Sequence, residues 1–180
     1  NDKIGPTHEN TISADISYTV PTSETYKLSF GVKATANLFD LDESRLTPAQ
    51  AGDPSLQNYN TFSPNIGAGV YLHSDKAYVG LSIPNFIETN RYDDNEVAIF
   101  KEKINYYLIA GYVFDFTDSI KFKPAFLSKM TEGAPLQIDV SGNFMINEKF
   151  VIGVAYRWSA AMSAMVGFQV SDGMYIGYGY

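Results

Sequence analysis

Apolar and polar residues alternate along most of this chain with a period of two. Leu136–Ile146, LQIDVSGNFMI, is the clearest case: Leu136, Ile138, Val140, Gly142, Phe144 and Ile146 fall on one side. Gln137, Asp139, Ser141 and Asn143 fall on the other, with Met145 the lone apolar exception. Such alternation marks a β-strand with one apolar and one wet face. Its length suits a tilted strand crossing a bilayer's hydrocarbon, which takes about 9–11 residues. Asn147-Glu148-Lys149 then makes a tight polar turn and the pattern restarts.

The same unit predicts ten strands: Thr11–Val20, Tyr26–Leu38, Phe62–Leu72, Ala77–Phe86, Ile104–Phe116, Ile120–Met130, Leu136–Ile146, Phe150–Trp158, Met162–Val170 and Met174–Tyr180. Every second link is a short turn. The others are longer: Asp40–Asn60 and Glu88–Lys103 are long and polar, while the sixth-to-seventh and eighth-to-ninth links are intermediate. Bacterial outer-membrane barrels have short periplasmic turns and longer extracellular loops. The pattern therefore predicts an all-β, antiparallel, up-and-down transmembrane β-barrel in a bacterial outer membrane, with both long segments outside the cell. Aromatic residues fit that frame. Tyr112, Phe114, Phe116, Phe122, Phe144 and Phe150 lie near short turns, and Tyr106, Tyr156, Trp158, Tyr178 and Tyr180 near the opposite ends. The competing fold is a soluble all-β sandwich or barrel, which also alternates but would put its apolar faces in a core.

Composition changes this picture little. The 13 Tyr and 12 Phe suit strand ends at a membrane interface. Mean hydropathy of −0.13 does not exclude a barrel, whose membrane character resides in alternation. No run of 18 apolar residues offers a transmembrane helix. Twenty acidic and 13 basic residues give a net charge of −7, which argues against a nucleic-acid partner. With no cysteine, disulfides, thiolate zinc sites and a Cys nucleophile are excluded.

Little points to catalysis. There is no G-x-S-x-G elbow, and the two histidines, His8 and His73, fall at predicted loops or strand ends. Gly67-Ala-Gly69 opens no helix and lacks a third glycine, so it is no dinucleotide fingerprint. Asp93-Asp94-Asn95-Glu96 and Asp40-Leu41-Asp42-Glu43 could touch a hard cation but suit solvated loops better. The expectation is a non-enzyme with no cofactor and no metal. The informative constellation is the wet face. Lys27, Lys33, Lys121, Lys123, Lys129 and Arg157 bring positive charge to it, and Asp15, Asp115 and Asp139 negative charge. Facing lipid, a Lys or Arg at the midplane would cost about 2–4 kcal/mol, so these side chains are expected to face a lumen. There they either pair across the wall or bind a polypeptide segment. The candidate lumen or partner-binding residues are Lys27, Lys33, Lys121, Lys123, Lys129, Asp139 and Arg157.

Several stretches carry a family likeness: Gly80-Leu-Ser-Ile-Pro-Asn85, Tyr107-Leu-Ile-Ala-Gly-Tyr112, Lys121-Phe-Lys-Pro124, Gly133-Ala-Pro135, Asp139-Val-Ser-Gly-Asn-Phe144 and Asn147-Glu-Lys-Phe150. Gly153-Val-Ala-Tyr-Arg-Trp158, Gly167-Phe-Gln-Val-Ser-Asp172, Ile176-Gly-Tyr-Gly-Tyr180 and Asn1-Asp-Lys-Ile-Gly-Pro6 extend it. In order and spacing they resemble the PorP/SprF family of outer-membrane proteins of the type IX secretion and gliding systems. The resemblance implies one barrel domain over residues 1–180, incomplete at both ends, from a longer parent of 12 or 14 strands with a signal peptide. It implies as partners the membrane lipid, the C-terminal domain of a secreted surface adhesin and periplasmic peptidoglycan-linked secretion subunits. A passive or ligand-selective channel is the alternative function.

Overall fold

The computed structural model describes residues 2–4, 7–41, 59–88, 90–91, 100–101 and 103–180. The first strands are β1 (Asp2–Ile4), β2 (Thr7–Pro21), β3 (Lys27–Leu41), β4 (Tyr59–His73), β5 (Ala77–Ile83), β6 (Asn90–Arg91) and β7 (Phe100–Lys101). Then follow β8 (Asn105–Tyr112), β9 (Phe114–Thr117), β10 (Ile120–Thr131), β11 (Gln137–Ile146), β12 (Phe150–Arg157), β13 (Ala161–Ser171) and β14 (Met174–Gly179). There is no helix among the described residues. The main sheet runs β1-β2-β3-β4-β5-β8-β10-β11-β12-β13-β14, with β9 beside β10, and β6 pairs β7 separately. Chain neighbours are sheet neighbours, so the topology is the up-and-down, antiparallel arrangement that the alternation predicts. The strand order has two ends and does not close on itself.

The ten expected strands are all present, and four details differ. A further strand, β1, pairs β2 through Asp2↔Glu9 and Ile4↔Thr7. The strand expected over Ile104–Phe116 is interrupted at Val113, and its second piece shifts register opposite Ile120/Lys121. Such a bulge inserts one residue and bends the strand. The polar stretch Glu88–Lys103 contains the small β6–β7 pairing, Asn90↔Lys101 and Arg91↔Phe100. The link between β12 and β13 is a tight turn, not an intermediate loop: Ser159 sits at φ 55° and Ala160 N–H donates to Arg157 O at 3.1 Å. The acidic motif Asp93–Glu96 and most of the long segment Asp40–Asn60 lie outside the described residues.

Turn chemistry fixes register. Asn147 and Glu148 both take positive φ, 52° and 55°, the mirror-image turn whose twist matches a hairpin. Across it the β11–β12 ladder runs without a shift from Ile146↔Phe150 to Asp139↔Arg157. The β10–β11 ladder is equally regular, from Ile120↔Ile146 to Lys129↔Gln137. Since a one-residue slip would exchange the faces, this regularity keeps each face uniform across neighbouring strands.

The faces are inverted relative to a water-soluble protein. Among the described residues no apolar side chain is buried. Ile16 is 79% exposed, Ile152 48%, Val154 52% and Ile176 58%, all on the apolar face. The buried residues, Asn65, Gly67, Gly80, Gly153 and Gly167, all lie on the polar face. A sandwich would show the reverse, so the apolar faces are the lipid side of a transmembrane barrel wall.

Contacts divide the chain into two units. The first comprises Asn1–Ser17, Gly31–Ala68 and Ile83–Ile104. Here Asn65 acts as a side-chain strand partner: its Nδ2 donates to Ile87 O at 2.8 Å and its Oδ1 accepts from Ile87 N–H at 3.0 Å. Beside it Gly67 lets the chain at Pro84 pass close, since a Cβ there would lie 2.7 Å from the Pro84 carbonyl carbon. The second unit comprises Tyr18–Phe30, Gly69–Ser82 and Asn105–Tyr180. On its apolar face, near the short turns, Tyr112–Phe114 and Phe122–Phe144 are each 4.6 Å apart between ring centroids, and Phe116 lies 6.0 Å from Phe122. Tyr156 and Trp158 meet edge-on at 6.4 Å toward the opposite end.

Candidate polar-face site

The second unit's polar face collects most of the candidate residues. The period-two rule places Lys121, Lys123 and Lys129 of β10 on one side of that strand. Register then sets Asp139 of β11 opposite Leu127, and Arg157 of β12 opposite Asp139. Arg157 donates from Nε to Asp139 Oδ1 at 2.7 Å and from Nη2 to Oδ2 at 3.3 Å. Gln137 Nε2 adds a bond to Asp139 Oδ2 at 2.8 Å. This two-pronged fork gives the pair a fixed geometry.

Toward the short turns two further ion pairs bridge neighbours. Lys121 Nζ reaches Glu148 Oε1 at 2.8 Å, and Lys76 Nζ reaches Asp115 Oδ2 at 2.6 Å. Both turn residues respond. The Lys121 hydrogen bond holds the Glu148 carboxyl below its ordinary range, and the Asp115 hydrogen bond raises the Lys76 ammonium. Lys121, Asp139 and Arg157 are therefore engaged within the wall.

Lys123 and Lys129 are placed differently. Lys123 Nζ stands 5.1 Å from the Tyr78 ring centroid, and Lys129 Nζ 5.8 Å from that of Tyr107. A ring face attracts an ammonium without neutralising it. Among the described residues no carboxylate pairs with either lysine. Lys27 and Lys33 lie on the polar side of β3, Lys27 exposed in the second unit and Lys33 half-buried in the first.

Alternation alone does not reveal the row of small residues between these charges. Register aligns Gly111, Ala125, Ser141, Ala155 and Ser163 directly across β8, β10, β11, β12 and β13. Tyr78 continues the row on β5, its ring covering Gly111, where a Cβ would fall 2.6 Å from ring atoms. The result is a concavity of about 560 Å³ bordered by Asp139, Arg157 and Leu127. The signal was present as small residues on the wet side of five sheet neighbours, but only the register lines them up.

No catalytic constellation accompanies the concavity. His8 lies in β2 opposite Lys3, and the His73 ring stacks on Tyr71 at 5.1 Å. Among the described residues no group of three or more His, Asp or Glu gathers as a metal site.

Comparison with known proteins adds one match. Residues 1–180 match the family PorP_SprF, described as type IX secretion system membrane protein PorP/SprF. No curated protein and no solved structure matches the chain. The family is one of secretion-system membrane components and is not known as enzymatic. Inverted faces, an up-and-down sheet and a match over the full sequence agree: the chain belongs to the PorP/SprF family of type IX secretion system membrane proteins.

Proposed function

We propose that this chain is part of a non-enzymatic outer-membrane barrel that anchors a secreted surface adhesin, through its C-terminal domain, to the type IX secretion and gliding apparatus. Periplasmic peptidoglycan-linked subunits dock on the same protein. The observation that carries this reading is the division of labour on the polar face. Lys121, Asp139 and Arg157 are engaged in pairs that stiffen the wall, whereas Lys123 and Lys129, with no carboxylate partner among the described residues, stand over tyrosine rings on the strand whose middle lines a concavity. Anchoring needs such a held surface and no turnover. The lipid contributes the other half of the anchor through the exposed apolar face.

The test is co-purification of the full-length parent from its native membrane in mild detergent, with mass spectrometry of what accompanies it. A stoichiometric adhesin or periplasmic subunit is the expected result. A barrel that purifies alone and conducts ions in planar bilayers refutes the anchoring role and establishes the channel alternative.

A further inference from the structure

We infer that the concavity on the second unit's polar face is a binding trough for an extended, acidic polypeptide segment of the anchored partner. The inference rests on the anchoring reading above and adds where and how the partner is held.

Three observations converge. The open floor, Ala125, Ser141, Ala155 and Ser163, runs across four consecutive sheet strands without a side chain larger than Ser, and the Tyr78 ring closes it over Gly111. At strand spacings of about 4.8 Å it spans roughly 14 Å, the length of about four residues of extended chain at roughly 3.3 Å each. A bulky or helical occupant, about 10 Å across, fits a one-residue-wide floor poorly.

Charge supplies the second argument. Lys123 lies two positions from Ala125 on one side of the trough, and Lys129 lies beyond Leu127 on the other. Both ammonium groups are presented over tyrosine rings and have no carboxylate partner among the described residues. The nearby acid, Asp139, is already paired with Arg157 and accepts a further hydrogen bond from Gln137. The trough is therefore flanked by positive charge that carboxylates on a ligand would complete.

The third argument is pre-organisation. The Tyr78 ring lies over Gly111 and the Arg157 fork is fixed by two hydrogen bonds, so one end and one side of the trough are set before anything binds. Binding to a formed surface avoids part of the ordering cost.

The test uses the full-length protein in detergent and a fluorescent synthetic peptide of alternating Gly and Glu, six residues long, against its Gly/Gln counterpart. The Glu peptide is expected to bind at least tenfold tighter, and Lys123→Gln with Lys129→Gln to abolish that preference. Ala155→Trp, which fills the floor, is expected to weaken both peptides at least tenfold. Each variant is checked for the cold-SDS mobility of a folded barrel, and Ser163→Trp replaces Ala155→Trp if the latter does not fold. Equal affinity for the two peptides, unchanged binding in the floor variant, or full displacement by millimolar inorganic phosphate overturns the trough. If the double lysine variant still co-purifies its native partner at wild-type stoichiometry, the trough falls and the anchoring role survives.

Discussion

Replacing Val154 by Arg separates a lipid-facing wall from a water-facing one. Val154 is 52% exposed and lies mid-strand in β12, Phe150–Arg157, on the apolar face. It is five residues from Lys149 in the adjoining turn. With a rise of about 3.3 Å per residue and a tilt near 40°, that places it roughly 13 Å along the membrane normal from the turn. Half of an apolar band about 25 Å tall is the same distance, so Val154 belongs at the midplane. An Arg there is expected to cost about 2–4 kcal/mol. The control is Ser163→Arg, exposed on the polar face of neighbouring β13, where a substitution is expected to stay within about 0.5 kcal/mol. The assay is reversible urea unfolding of the full-length protein in lipid vesicles, following the folded fraction by cold-SDS mobility. If Val154→Arg matches wild type within about 0.5 kcal/mol, or if both substitutions cost the same, the assignment of faces is wrong.

Two further outcomes follow from local geometry. Gly67→Ala puts a Cβ 2.7 Å from the Pro84 carbonyl carbon and 2.9 Å from the Ile83 carbonyl oxygen, backbone that cannot rotate aside; a loss of about 1–3 kcal/mol is expected by urea titration, and none for Gly173→Ala, which meets nothing within 4 Å. Because Glu148's carboxyl is held below its ordinary value by Lys121, its contribution is present at neutral pH and lost as pH falls through that depressed value. Glu148→Gln is therefore expected to flatten the acid limb of a stability–pH profile below about pH 4.5 and leave the neutral and alkaline limbs parallel to wild type; a parallel acid limb would refute the pairing.

The sequence made the strands legible because one-face burial in lipid writes itself locally, residue by residue. Leu136–Ile146 and Phe150–Trp158 nearly coincide with β11 and β12 for that reason. Features that depend on distant partners were not legible. The three residues of β1 have no period to detect, and the bulge before Ile120 alters pairing without altering composition. At the site, alternation identified which side of β10 carries lysines. It could not show that Arg157 would clasp Asp139, that Glu148 would claim Lys121, or that Lys123 and Lys129 would meet tyrosines. Those outcomes depend on register between strands, and so does the line of small residues from Gly111 to Ser163.

The absence of any buried apolar side chain among the described residues has a consequence for how this protein is made. A chain whose greasiest surface faces outward gains nothing by collapsing in water; its solvent must supply what an interior normally supplies. Folding and insertion then become a single event, with the bilayer as an obligatory co-reactant. A melting temperature measured for it belongs to the protein–lipid pair and will shift with acyl-chain length. Until the chain reaches a membrane, some escort must keep those outward-facing aromatics from finding one another.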